Sequence, residues 1–423
     1  MRILQDAIEG ALHDLPEQAL AALIEKKLAA QGVTLSARQR KRLTRKLMQG
    51  YTDNIRLWNW KLWDNRHVAL EFTPADVEQI EKNFTEFADK RLPDLIQSVS
   101  DDLAHKILFD LTRRWPGYSR QQNRDLAGFR KRLYDRWKIP LEKLGMLVTM
   151  SRELGDSVNR EIRQIPDASS RTHLIDVLAR SHARACQIAE EIITLLEAGF
   201  SDGAMARWRT MHEIAVVASF IAANGEDAAE RYVAHQAVES KKASDDYQRC
   251  QPRLRYDPLP EKEIKAVEKL FNTVIAKYGP DFGKGDYGWA SHHLRKTKPM
   301  FKDIEAAVNI DHFRAHYRMA SHNVHANPKG VFFKLGMFAE SQVLLAGPSN
   351  AGLADPGHGA ALSLSRVTAA LVGLQQPPTL DNIVALIMML HLVDEIGEAF
   401  GEAHERLEAD DAAMRPVGPA RTS

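Results

Sequence analysis

Apolar residues recur every three or four positions along most of the chain, the spacing of helices that bury one face. Ile3 to Ala29 carries this pattern, and after Gly32 a second helix is predicted over Ser36 to Leu47 with Ser36 as its cap. His67 to Phe72 alternates instead, with Val68, Leu70 and Phe72 set against Ala69 and Glu71, which predicts one short strand. Thr73-Pro74-Ala75-Asp76 opens the next helix: Thr73 caps, Pro74 occupies the first turn and Asp76 completes a capping-box pattern. Helices are expected over Asp76 to Lys90 and Leu95 to Arg114, with Trp115-Pro116-Gly117 ending the run. Amphipathic helices then follow over Arg120 to Trp137 and Pro140 to Ile165, and the polar turn beginning at Pro166 is the preferred domain boundary.

From Thr172 the pattern becomes more apolar, as a compact bundle requires. Thr172 to Ala198 reads as a long helix, with Gly199 and Gly203 bracketing the turn after it. Ala204 to Ala223 is apolar almost all round and belongs at the centre of the bundle, although it carries Arg209 and Glu213 one turn apart. Two polar-faced helices are expected over Glu226 to Gln248 and Glu261 to Lys277. Gly279, Gly283, Gly285 and Gly288 then punctuate a loop read as a mobile cover. One or both of Val331 to Gly336 and Ser341 to Ala346 are candidate strands, and the glycines and prolines from Gly347 to Gly357 make a loop. Helices over Ala361 to Leu374 and Leu380 to Leu407 close the domain. The expected architecture is mainly α: an N-terminal basic helical region over 1–165, a helical bundle over 171–407 with at most one or two short β-hairpins, and a disordered tail over 408–423.

Charge adds little at the level of the whole chain. In 423 residues, 57 Lys and Arg nearly cancel 56 Asp and Glu, so no global field favours a nucleic acid or an anionic membrane. Any basic surface is local, and Arg38, Lys41, Arg42 and Arg45 form one such stripe. It is either a solvated face or a phosphate-contacting helix helped by the aromatics Tyr51, Trp58, Trp60 and Trp63. With Cys186 and Cys250 the only cysteines, neither a disulfide framework nor a cysteine zinc site is written here, which points to a reducing cytoplasmic compartment. Met1 to Leu12 contains Asp6 and Glu9 and lacks the order of a secretory signal. The longest apolar runs, Ile214 to Ala223 and Ile383 to Leu390, fall short of the roughly 18 to 20 residues of a membrane span, so no membrane partner is expected.

The chemistry concentrates in Asp311 to Asn327, which holds four of the chain's 16 histidines together with Arg314 and Arg318. A helix over Ile310 to Ala326 places Arg314, Arg318, Ser321 and His325 on one stripe with Tyr317 beside it, and His312, His316 and Asn323 on another. A permanent cation, a hydroxyl and a group that titrates near neutrality suit phosphate or carboxylate chemistry. His312, His316 and His322 read as solvated or hydrogen-bonded structural residues. Carboxylate-bridged dimetal bundles need Glu-x-x-His on two helices, and no histidine here has a glutamate three residues before it, so neither a metal nor a cofactor is expected.

Arg318, six residues and His325 resemble the arginine-then-histidine signature of HEPN-type helical domains, many of which are metal-independent ribonucleases. The resemblance implies that His325 activates a ribose 2'-hydroxyl or protonates the leaving oxygen while Arg318 neutralises the phosphorane. Three ordered motifs also resemble the bacterial domain of unknown function 5677 over roughly Ala185 to Ala399: Arg209-Thr210-Met211-His212-Glu213, then Tyr317 through His325, then Gly347-Pro348-Ser349. That resemblance implies a bundle in which Arg209 and Glu213 face Tyr317, Ser321 and His325, with His322 and Asn323 in support. It carries no established reaction, though some relatives accompany phage-defence genes. The leading expectation is therefore a HEPN-like endoribonuclease acting on RNA, in phage defence or a toxin-like role, as a homodimer. The alternative is a non-enzymatic binding module recognising a nucleotide, an anionic ligand or a protein partner, and a purely structural Arg/Glu/His network is the third reading.

Overall fold

A computed structural model describes residues 3–50, 68–164, 167–325, 327–338 and 344–414, and all regular structure among them is helical. The chain divides into two compact units between Gln121 and Gln122.

The first unit begins with α1 (Ile3–Ala29) and α2 (Ala37–Met48), joined by a turn in which Gly32 adopts φ 67°. Ser36 caps α2 as expected: its hydroxyl accepts from the Gln39 N–H, while the Gln39 side chain accepts from the Ser36 N–H at 3.0 Å. Ile24, Leu28 and Leu43 form a small core, covered in part by Val68 and Leu70. No strand forms over 68–72. The alternation there places Val68 and Leu70 against the helices, but among the described residues no second strand lies beside the segment to complete a ladder. Helix α3 (Pro74–Glu86) starts at Thr73, whose N–H and hydroxyl both donate to Asp76 at 2.8 Å. Lys27 reaches the same carboxylate at 2.7 Å, and these partners, Lys27 first, hold it down to about 2.

A π-helical turn over Phe87–Arg91 leads from α3 straight into α4 (Leu92–Ile162), which runs for 71 residues through Trp115-Pro116-Gly117 and Pro140. The expected stops at Lys90 and Trp115 are therefore absent. A proline inside a helix costs on the order of 3 kcal/mol, but the cost is local. Long helical stretches flank Pro116, and Asp110 pairs with Arg113 and Arg114 within the helix, both at 3.3 Å. The division between the two units falls inside α4, upstream of the polar turn at 166–170.

The second unit contains the rest of α4, then α5 (Thr172–Glu197), α6 (Ser201–Ala234), α7 (Gln236–Leu254), α8 (Glu261–Tyr278) and the short α9 (Ser291–Leu294). After these come α10 (Phe301–Ala307), α11 (Arg314–Val324), α12 (Pro328–Phe332), α13 (Ala354–Val372) and α14 (Leu380–Met414). As its composition required, α6 is central and packs against α5, α13 and α11. Met211, Ala215, Val216, Ala218 and Ile221 lose all exposure along it. Gly225 interrupts α6 at φ 72°, a conformation that side chains with a Cβ rarely adopt.

The glycine-punctuated loop is not a cover. It forms two 3-10 turns whose Phe282 and Trp289 are buried, Phe282 stacking on Tyr278 at 4.7 Å and Trp289 meeting Phe220 edge-on at 5.6 Å. Aromatic anchors outweigh the freedom that its glycines suggest. Neither candidate strand after α11 forms among the described residues: 331–332 belong to α12, 333–336 and 344–346 are irregular, and 341–343 lie outside the description. Helix α13 begins at Ala354, ahead of the expected Ala361, because Pro356 falls in its first turn, where no N–H is needed. Helix α14 continues through residues 408–414. Cys186 and Cys250 are both free, and among the described residues no helix is long and apolar enough to cross a membrane.

His182 on α5 is buried so closely against α4 that a Cβ at Gly155 would lie 2.1 Å from its ring. Burial lowers this imidazole to about 4, and His212 on α6 likewise to about 4. Unfolded histidine takes up its proton near pH 6.5, so the stability held in the neutral rings is fully present above that pH and is lost as pH falls toward about 4. The urea midpoint is expected to fall steadily below pH 6.5, and His182→Gln is expected to make that decline shallower. An unchanged slope in the variant contradicts the assignment.

Candidate functional site

Three of the residues singled out by sequence meet directly. Arg209 and Glu213, one turn apart on α6, form an ion pair at 3.0 Å. Tyr317 of α11 joins them, accepting from the Arg209 guanidinium at 2.9 Å and donating to Glu213 at 2.6 Å. The Arg209 and Arg314 guanidiniums also lie 4.9 and 5.3 Å from the centroid of the Tyr317 ring. Burial first, then the bond to Glu213, pushes the phenol up to about 12. Tyr287, nearby and half-buried, is also pushed up, by burial and then by the charge of Glu213. Arg209 and Glu213 keep part of their side-chain surface, 23% and 31%, so the network reaches solvent at one edge.

Beneath it lies a second set that the sequence reading missed in part. Glu305 of α10 has no exposed side-chain surface; it accepts from His212 Nε2 at 3.1 Å and pairs with Arg314. Burial pushes the Glu305 carboxyl up, against the pull of Arg314. His212 is ringed by Trp208, Phe301, Phe313 and Tyr317, with centroids 5.2 to 6.1 Å away. A signal for Glu305 existed in the sequence: it is the one charge in Ile304-Glu305-Ala306-Ala307, a place where a carboxylate needs a buried partner.

The expected Arg318/His325 stripe forms only in part. Helix α11 stops at Val324, and His325 is extended at its end with φ −107° and ψ 139°. Arg318 and His325 are both exposed, and neither side chain makes a hydrogen bond or ion pair among the described residues. The Ser321 hydroxyl donates to the Tyr317 carbonyl at 2.8 Å, within its own helix. His322 accepts from the Asn327 amide at 2.7 Å, while the Asn323 amide nitrogen is buried without a partner. In the first unit Arg38, Lys41, Arg42 and Arg45 are all exposed, and Arg45 lies 3.5 Å from Glu17. Tyr51, Trp58, Trp60 and Trp63, the aromatics assigned to that stripe, lie outside the described residues.

The second unit also has a cavity of about 250 Å3, half open to solvent, between α6, α11, α13 and α14. Trp208, Phe313 and Phe400 give it aromatic walls, and His316, Asp355 and His358 supply polar groups. Trp208 is fixed by donating its indole N–H to Ser363 at 3.1 Å. Two glycines let the helices close in: a Cβ at Gly359 would lie 2.7 Å from the Trp208 nitrogen, and one at Gly397 would lie 2.7 Å from His358 Nε2. At Gly401, which also lines the cavity, an added Cβ would meet nothing within 4 Å. Burial lowers the His358 imidazole, so at neutral pH its ring offers one donor and one acceptor. Among the described residues no three His, Cys, Asp or Glu side chains are grouped to hold a metal ion.

Fold and site together define a helical bundle with a half-open cavity and an Arg/Glu/Tyr network. Residues 175–341 match the profile of a family of unknown function, DUF5677. The matched segment runs from α5 past α12 and includes Arg209, Glu213 and Tyr317. It ends before Gly347-Pro348-Ser349 and before α13 and α14, which supply most of the cavity wall. No curated protein and no solved structure matches the chain.

Tyr317 holds α11 to α6 through a charged hydrogen bond. Tyr317→Phe is expected to lower unfolding free energy by about 1–2 kcal/mol while keeping the ring contacts. Urea unfolding of the two proteins measures this, and equal midpoints would count against the bond.

Proposed function

We propose that the second unit is a non-enzymatic recognition module for a nucleotide, with the base in the cavity. The observation that carries the reading is the cavity itself: its volume of about 250 Å3 suits a single heteroaromatic ring system, and its walls are Trp208, Phe313 and Phe400. Stacking on such walls is tolerant of base identity, while His358 and Asp355 provide the donor and acceptors that a base edge uses. His312 and His316, exposed on either side of Phe313, are the groups placed to donate to a phosphate. The buried carboxylate and its partners then act as the support that fixes Phe313 and α11, not as reacting groups.

Calorimetry with purine and pyrimidine nucleoside monophosphates, ribose 5-phosphate and inorganic phosphate tests this. Base-bearing compounds are expected to bind without product formation, and the two phosphates lacking a base are not. Gly401→Leu fills the cavity from a position with free space, so it is expected to weaken binding at least about tenfold. It should at the same time hold or raise helix stability by roughly 0.5–1 kcal/mol. A panel in which no base-bearing compound binds rejects the proposal.

A second reading rests on a separate observation, the exposed and unpartnered state of Arg318 and His325. Catalytic groups of a HEPN-like ribonuclease have to be free in this way, with the imidazole moving the proton and the guanidinium meeting the phosphorane. RNA cleavage by the purified protein that disappears in both Arg318→Ala and His325→Ala is the outcome expected of it. Absence of cleavage, or cleavage that survives both changes, removes it.

A further inference from the structure

Arg366 of α13 is half-buried and, among the described residues, makes no hydrogen bond and no ion pair. Every other half-buried arginine described in the second unit bonds a carboxylate: Arg136 meets Asp410, Arg171 Asp167, Arg207 Glu191, Arg209 Glu213, Arg231 Asp227 and Arg314 Glu305. Burial pushes the Arg366 guanidinium down, and no carboxylate works against it. The Nε atoms of Arg171, Arg207 and Arg209 are sealed from solvent, whereas the nitrogens of Arg366 keep open space beside them. A guanidinium that gives up water without an anion in return costs the fold stability. A ligand that supplies the anion removes that cost.

The helix places this cation at the cavity. Asp355, His358, Gly359 and Leu362 line it from α13. At about 100° per residue Arg366 falls about 40° from Leu362 and about 20° from Asp355 around the axis, inside the arc of those four residues. It stands one turn beyond Leu362, and helical side chains lean back over the preceding turn, which here is the cavity's end. The facing helix agrees. Trp208 of α6 bonds Ser363 and walls the cavity, and His212 one turn further on feels the charge of Arg366. Burial does most to lower His212 and Glu213 opposes it; Arg366 leads the cations that add to it, ahead of Arg314, although Arg314 shares Glu305 with His212. Phe313 stands at this end too, 6.0 Å from His212, with His312 and His316 beside its ring. Asp355, the one acid in the cavity wall, is about 16 Å away along the axis and is too far to pair with Arg366.

An aromatic slot with a permanent cation at one end, and no acid of the chain beside that cation, is matched by a flat ring that carries an acidic group. We propose that Arg366 receives an oxyanion of the aromatic ligand that the cavity binds. In naming this oxyanion as the phosphate of a nucleotide the assignment rests on the nucleotide reading; the requirement for an oxyanion does not.

Calorimetry on the full-length protein with matched pairs tests this: adenosine monophosphate against adenosine, cytidine monophosphate against cytidine, and indoleacetate against indoleacetamide. In each pair that binds, wild type is expected to hold the charged member at least about tenfold tighter. Arg366→Leu is expected to remove that preference and leave the affinity for the neutral member unchanged, whereas Arg366→Lys keeps the charge and retains most of the preference. The urea midpoint of Arg366→Leu is expected to equal or exceed that of wild type, because no unpaired guanidinium is then held out of water. A cation kept only for packing gives the opposite pattern, a lower midpoint with the preference unaltered, and that result overturns the proposal. Wild type that binds charged and neutral members equally also overturns it, while binding of the two nucleosides would leave the nucleotide reading in place. A preference found with the indole pair, when neither nucleotide nor nucleoside binds, removes the nucleotide reading and upholds the oxyanion site. Failure of every compound to bind overturns both.

Discussion

A carboxylate with no exposed side-chain surface is the constraint around which the second unit is assembled. Removing the charge of Glu305 from water costs several kcal/mol unless partners replace the lost hydration. Those partners come from two elements, His212 from the central α6 and Arg314 from the first turn of α11. Meeting this one requirement ties α10 and α11 to α6. It also turns Tyr317 toward Arg209 and Glu213, so the charges on an otherwise apolar helix become mutually satisfied. Phe313, the residue before α11, is carried into the cavity wall by the same tie.

Much of this was legible in the sequence wherever the signal is local and repeated. The caps at Ser36 and Thr73 are side-chain hydrogen bonds over three residues, and both form as the residue types require. The burial of α6 follows from its composition, and so does the need of Arg209 and Glu213 for partners. The signals that misled were those whose strength depends on neighbours. Pro116 reads as a stop, but its cost is fixed while the helix on either side is long. Val68 and Leu70 alternate as a strand does, yet a strand also needs a ladder partner, which periodicity cannot report.

The end of α11 shows a competing local signal that went unread. Asn327-Pro328 is itself a helix start: the Asn327 side chain accepts from the Gly330 N–H at 2.9 Å and Pro328 occupies the first turn of α12. A new helix beginning there forces α11 to finish earlier, and His325 leaves the face that Arg318 occupies. The cavity was illegible for a different reason. Its walls are contributed by residues from Met205 to Gly401, and its closeness depends on glycines, whose contribution is the absence of a side chain. A clue was present in His358, a histidine set between Gly357 and Gly359 at the start of an apolar helix.

The carboxylate of Glu305 also bears on how the chain can vary. His212 and Arg314 stand 93 and 9 residues from it in sequence, on two different helices, yet both bond to it. The three positions are bound to drift together, because loss of either partner leaves a charge short of a bond in a place that water does not reach.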